Sequence, residues 1–514
     1  MHFQRLSPAL FNESGFNSLK KIQVPEEKIF SLPERVLQFG TGSLIRSIPD
    51  YFIDQANRKG VFNGRIVAVE SSDSRLSDFD AQECLFVHNI KSFKSNITVD
   101  DLIINSSISR ILNATLKWTE ILECAKNPDL KVIISNTGEI DFAPSEDNLK
   151  GSPPSSFSGK LTAFLFERFK MFKGTNDSGM IVIPTEVIID NGVKLKEQII
   201  VLAKQNHLGS SFLAWLENEN TFCNSLVDGL SEVPQQVLKE QIEQELGFQD
   251  NLLIISESYR LWAIEGDKNI EEKLSFCRAD EGLAIVKNIK EFRERKLRLL
   301  EGTQVLLAGL GFLSGMNTVR ECMEETLLTE FVRNVMFDEI VAALEGNRET
   351  AESYANELID RFNNPFIRQS LLEIVVNYSS KMNDLNSKTI INFYKRYMEV
   401  PRYIALGFAA YLIFMKAEKI EDGKYFGLRD EEFYLIEDTM ATYFDEKWKT
   451  ADVNTVISCR VFVEEIIDEG SFWDSELKKV AGFSDAVAHY LCEIVHKGIK
   501  ETLEEFVEFG EIEE

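Results

Sequence analysis

The chain has 514 residues, 44% of them apolar and 27% charged, an ordinary globular mixture with length for two or three domains and large cores. Its net charge of −27 argues against a nucleic-acid partner or an anionic membrane surface, because both attract basic faces. Seven cysteines with no close pair, five scattered histidines, no bilayer-length apolar run and no basic-then-apolar leader predict a soluble, cytoplasmic protein with reduced thiols and no bound metal.

Residues 36–39 read as a short buried strand, ended by Gly40-Thr41-Gly42. Residues 65–69 are a second, closed by Glu70-Ser71-Ser72-Asp73, and 131–135 a third, running into Asn136-Thr137-Gly138. Residues 180–184 make a fourth, followed by Thr185-Glu186. Helical periodicity covers 161–169 and 193–203, while 142–158, rich in Ser, Pro and Asp, reads as a loop. Strand–helix alternation of this kind favours a parallel sheet covered on both faces.

From about Ile285 the texture changes. Residues 327–344, 350–362, 402–417 and 486–507 carry apolar residues at helical spacing, with few strand-like alternations. The expected fold is an α/β Rossmann-type N-terminal domain over residues 1–275 and a mainly α-helical C-terminal domain over 276–514. The last segment, 501–514, holds seven acidic residues and reads as a frayed helix end.

Gly40 and Gly42 stand directly after a strand, where a close backbone approach lets a pyrophosphate face the next helix. The usual third glycine is replaced by Ile45, and alone the segment reads equally as a plain structural turn. Glu70, ending the next strand, can accept both ribose hydroxyls of NAD and repel the extra phosphate of NADP; the plainer reading is a cap on a solvent-facing loop. Strand, glycine turn, helix, strand and acid in that order favour nucleotide binding.

Residues 39–46, Phe-Gly-Thr-Gly-Ser-Leu-Ile-Arg, are similar to the opening segment of the polyol-specific long-chain (mannitol dehydrogenase) family, with Arg46 at its arginine. Asn136-Thr137-x-Glu139 resembles that family's Asn-Thr-x-Glu strand end, and Thr185-Glu186 with Asn191-Gly192 the loop that offers an asparagine to the substrate's reacting oxygen. Residues 222–228, Arg361-Phe362-Asn363-Asn364-Pro365 and Ser380-Lys381 match further blocks, so the resemblance covers about residues 33–400. The detail of 215–224 is nearer to the tagaturonate reductase branch than to mannitol dehydrogenase itself. The family's catalytic pattern is a lysine, an asparagine five residues on and a histidine three further. Here Lys296 keeps the lysine, Glu301 replaces the asparagine and Gln304 the histidine.

The resemblance implies metal-free hydride transfer between NAD and a small ketose-type sugar acid, a keto-hexuronate on one side and an aldonate on the other. It gives Lys296 the acid–base role, Asn191, Glu301 and Gln304 the other catalytic positions, and Asp228, Arg361 and Lys381 the substrate contacts. Gly40, Gly42, Arg46, Glu70, Asn136 and Thr137 would meet the cofactor. On an α-helix, residues 296, 301 and 304 fall within one arc of about 140°; against that, Lys296 belongs to a basic run (Arg293, Arg295, Arg298) of a kind usually exposed. Glu301 would repel a uronate carboxylate and a developing alkoxide, and Gln304 donates a hydrogen bond but cannot be protonated as histidine can. Gly229 after Asp228, Asn377 for a family aspartate and Pro49 inside the first helix are lesser departures. The alternative is therefore a relative that keeps the fold without turnover, acting as a binding or regulatory protein; a dehydrogenase for another substrate is a third.

Overall fold

The computed structural model describes residues 3–12, 22–71, 76–94, 97–137, 147–149 and 153–510. They form two compact units, Met1–Ser92 with Thr98–Ile289, and Phe93–Ile97 with Lys290–Glu514.

The first unit is built on six parallel strands: β1 (Glu34–Phe39), β2 (Arg65–Glu70), β3 (Ile108–Asn113), β4 (Val132–Ser135), β5 (Ile181–Pro184) and β6 (Thr221–Phe222). Their order is β3-β2-β1-β4-β5-β6, every neighbour parallel, which is the doubly wound dinucleotide-binding order. The chain reverses its winding between β1 and β4, so a crevice opens beyond their carboxyl ends. Alternate residues explain the continuous apolar runs. Val36, Ile66, Ala68, Val132 and Ile134 enter one core, and Leu37, Phe39, Val67, Val69 and Ile133 enter the other.

The four expected strands are present, with ends shifted by one or two residues. β3 and a second, five-stranded sheet including Phe86–Lys94 and Ile97–Asn105 were not anticipated. Within the expected loop 142–158, residues 142–146 and 150–152 lie outside the described residues, and Phe157 already opens a helix, Phe157–Phe172.

Pro49 resolves differently from the expectation of a helix with one lost bond. The helix is two: α1 (Ser43–Ser47) ends at Ile48, and α2 (Pro49–Arg58) starts on the proline, where an N–H has no helical partner anyway. α3 (Phe157–Phe172) and α4 (Asn191–Gln205) extend the periodic segments at 161–169 and 193–203.

The first compact unit runs on to Ile289, and Leu283–Val286 is one of its strands, parallel to Leu261–Glu265. The second unit packs Thr303–Leu313, Arg402–Phe414, Val456–Ile467 and Phe483–Lys497 around one large core. Two corrections apply here. The periodic run 486–507 is two helices parted at Gly498, whose φ of +86° no helix accommodates, and a small antiparallel sheet (Lys419–Glu421, Lys424–Arg429, Glu432–Ile436) interrupts the helices. The acidic end is helical to Gly510, and 511–514 lie outside the described residues.

Candidate active site

The turn after β1 is shaped by what surrounds it. Gly40 has φ +106°, and a Cβ there would stand 2.5 Å from the Asn136 carbonyl oxygen of the neighbouring strand end. Any side chain at this position is excluded on both counts. Gly42 is the opposite case: a Cβ would meet nothing within 4 Å. Both line a cavity of about 340 Å³ with Thr41, Glu70, Ala114, Asn136, Thr137 and Lys160. Thr41, between the two glycines, donates its hydroxyl to the Glu70 carboxylate and fixes the acid at the strand end.

Arg46 does not line this cavity. It is 1% exposed and lies under the turn, where its guanidinium donates to the carbonyls of Thr41 and Leu252 and stacks 5.0 Å from the Phe86 ring. Beside it Gln38 donates to the Gly40 carbonyl at 3.2 Å and to Asp50 at 3.4 Å. Complete burial pushes the Asp50 carboxyl up to about 8, against the opposing pull of Gln38 and Arg46. Asn136 and Thr137 continue the cavity wall. Asn136 donates to Thr185 Oγ1 at 3.0 Å, and Thr137 donates through both backbone and hydroxyl to Glu186 at 2.9 and 3.0 Å. Glu186, which the motif reading quoted without a role, is thus the anchor of two strand ends.

Asn191 opens α4 behind Asp190, whose φ of +56° is one that Asp tolerates. Its side chain is 1% exposed and clasps backbone throughout: Nδ2 lies 2.9–3.1 Å from the carbonyls of Pro184, Glu186 and Ser225, and Oδ1 accepts from Gly192 and Ser225. The structure therefore shows it tying a loop to two neighbouring elements. Asp228 is likewise buried, at 2% exposure, on the last residue of the strand Ser225–Asp228.

In the second unit, Lys296 opens a π-helical segment, Lys296–Gly302, between the helices Lys290–Arg295 and Thr303–Leu313. On an ordinary helix residues five apart diverge by about 140°. The wider i→i+5 turn instead sets Glu301 above Lys296, and the two side chains pair at 3.5 Å. Lys296 is more deeply set than its partner, at 13% against 28% side-chain exposure, so it is not a member of an exposed basic face. Its neighbour in the basic run, Arg298, is buried and donates to the carbonyls of Asp384 and Leu385.

Gln304, one turn on, donates to the Gln369 side chain, a partner 65 residues away that no local pattern reveals. Lys381 donates to the Ile374 carbonyl at 2.8 Å. Burial lowers its pKa, while the charge of nearby Glu301 opposes that shift. Glu301 thus feels two lysines. Asn377, which precedes the short helix Tyr378–Met382 that carries Lys381, has φ +54°, a conformation suited to asparagine. Arg361 is 3% exposed on the last turn of Arg348–Phe362. Among the described residues no group of side chains could hold a metal ion, all seven cysteines are free thiols, and no helix is long and apolar enough to cross a membrane.

Two family models account for most of the chain. The mannitol dehydrogenase Rossmann domain matches residues 34–276 and the mannitol dehydrogenase C-terminal domain matches 288–495. The chain belongs to the mannitol dehydrogenase family. Within it, the chain is 33% identical to the altronate oxidoreductase of Halalkalibacterium halodurans, over 93% of this chain and 94% of the relative. It is 32% identical to that of Bacillus subtilis, over 93% and 97%. Solved structures of the same fold include Pseudomonas fluorescens mannitol 2-dehydrogenase in a ternary complex with NAD and D-mannitol (TM-score 0.73, 17% identity, 98% of this chain and 100% of that one). A substrate-free D-sorbitol dehydrogenase superposes with a TM-score of 0.79 at 19% identity, over 97% and 100%.

Proposed function

We propose that the chain is a cytoplasmic NAD-dependent oxidoreductase that interconverts a keto-hexuronate (tagaturonate) and its aldonate (altronate). Full-length likeness to proteins named altronate oxidoreductase supports the substrate class. The doubly wound sheet, the open backbone at Gly42 and the acid held at Glu70 suit a dinucleotide with unsubstituted ribose hydroxyls. When bound, NAD supplies or accepts the hydride.

The observation that carries the chemical reading is the deeply set Lys296 ammonium held beside Glu301. Reduction of a carbonyl needs a proton delivered to the oxygen as the hydride arrives, and in this reading Lys296 is the donor. A carboxylate counter-ion suits that direction, since it orients a charged donor. Gln304, which donates to Gln369, would serve in this reading as a neutral donor to the same oxygen. Lys381, half-buried and beside Glu301, is the group this reading assigns to the sugar's carboxylate. Asp228, Arg361, Asn191 and Arg46 are all buried, and in this reading each braces the backbone of its own unit.

The Lys296–Glu301 pair is also what a silenced site would show, because the pair can be an inert salt bridge. Steady-state NADH oxidation with tagaturonate separates the two readings: turnover is expected, and its absence with NADH bound would favour the binding protein.

A further inference from the structure

Lys160 is a charged residue in the cofactor cavity that the motif reading leaves without a role. It ends the first turn of α3, with its N–H bonded to the Ser156 carbonyl at 3.0 Å. A cation near a helix N-terminus works against the helix dipole. The dipole gives no reason for a lysine there.

Its immediate surroundings are built. Asp147 accepts hydrogen bonds from the backbone and hydroxyl of both Ser155 and Ser156, and Ser156 caps α3 through the Gly159 N–H at 2.9 Å. Phe157 packs edge-on against Phe39, the last residue of β1, at 5.1 Å between ring centroids. The start of α3 is therefore pinned to the strand that feeds the glycine turn. Lys160 Nζ donates to the Ser155 carbonyl at 2.7 Å, which holds the ammonium at this end of the helix.

Charge gives the lysine its meaning. Among the described residues that line the cavity, Glu70 is the acid and Lys160 the base, and the others are neutral. Glu70 is engaged by Thr41, as an acceptor placed for ribose hydroxyls would be. A dinucleotide also brings two phosphate charges to a chain whose net charge is −27. The glycine turn offers backbone N–H groups but no formal charge. We infer that Lys160 is the cation that neutralises the cofactor's pyrophosphate, so that it and the glycine turn together form the phosphate subsite. This rests on the reading of the cavity as the NAD site.

Calorimetric titration of native, Lys160→Gln and Lys160→Arg proteins with NADH, ADP-ribose and adenosine, each at low and high salt, tests it. Loss of one charge-assisted contact at a half-exposed site weakens NADH and ADP-ribose about tenfold. Adenosine, which has no phosphate, should bind all three proteins alike. The salt dependence of ADP-ribose binding should shrink in Lys160→Gln and return in Lys160→Arg. Unchanged ADP-ribose affinity in Lys160→Gln, or a parallel loss for adenosine, overturns the inference and leaves Lys160 as a local contact to Ser155. If native protein binds neither NADH nor ADP-ribose, the cavity assignment itself falls, a result distinct from either.

Discussion

The glycine-turn cavity of the first unit and the Lys296 segment of the second are held together by different means. At the turn the decisive contacts are backbone: Gly40 against the Asn136 carbonyl, Gly42 facing open space, and strand ends fixed by parallel neighbours. In the Lys296 segment the decisive contacts are between side chains: Lys296 with Glu301, and Gln304 with Gln369. A site made of backbone keeps its chemistry as long as strand order and two glycines survive. A site made of side chains changes its chemistry with each replacement, while the helix beneath stays intact.

The most direct way to break this contrast is to remove Lys296. Lys296→Ala should lower NADH oxidation with tagaturonate about 10²–10⁴-fold, the usual weight of a general acid, with nucleotide affinity preserved. Equal turnover by the two proteins would show that the segment has been misread. Next in size is the paired exchange Glu301→Asn with Gln304→His. If the present residues are a working arrangement, it should reduce turnover by about ten- to a hundredfold, within the range of one oxyanion donor. A large gain instead would mark the native site as silenced.

In the first unit the effects are smaller. Glu70→Ala should narrow the preference for NADH over NADPH by about 1–3 kcal/mol, through loss of ribose hydrogen bonds to a charged acceptor. Fluorescence titration of both nucleotides reads this directly, and equal native affinities would remove Glu70 from the site.

Asp50 gives a pH test. Its folded-state pKa is raised from 3.8 to about 8 by burial, so the folded chain binds a proton that the unfolded chain releases between these values. The stability it contributes is full below about pH 4 and is lost as pH rises through about 8. Asp50→Asn should therefore flatten the fall in melting temperature between mildly acidic and mildly alkaline buffer. Parallel curves for the two proteins would refute the raised carboxyl. The smallest expected effect is none: turnover should survive exhaustive chelation, and loss restored by zinc would overturn the metal-free mechanism.

How far the sequence could be read follows the same division. The strands at 36–39, 65–69, 131–135 and 180–184 were legible because they are buried on both faces and so are continuously apolar. Short or half-exposed strands such as Glu432–Ile436, where buried Tyr434 alternates with exposed Phe433 and Leu435, carry a weaker signal among helices. The polar groups of the Lys296 segment could be named from the family resemblance, but not their partners. Gln369 is distant in sequence, and Lys160 sits in no motif.

The alternation of apolar strands with helical periodicity was enough to determine the fold class, because these are local patterns tied to backbone geometry, and the resemblance of several motif blocks in order named the family. Tertiary structure alone decided three other things. The helix around Lys296 widens into a π-turn that brings Glu301 to it; Asn191 and Arg46 turn inward to brace backbone; and Lys160 enters the cavity at the glycine turn. Each depends on which distant carbonyl or side chain lies within hydrogen-bond reach, and the order of residues along the chain does not contain that distance.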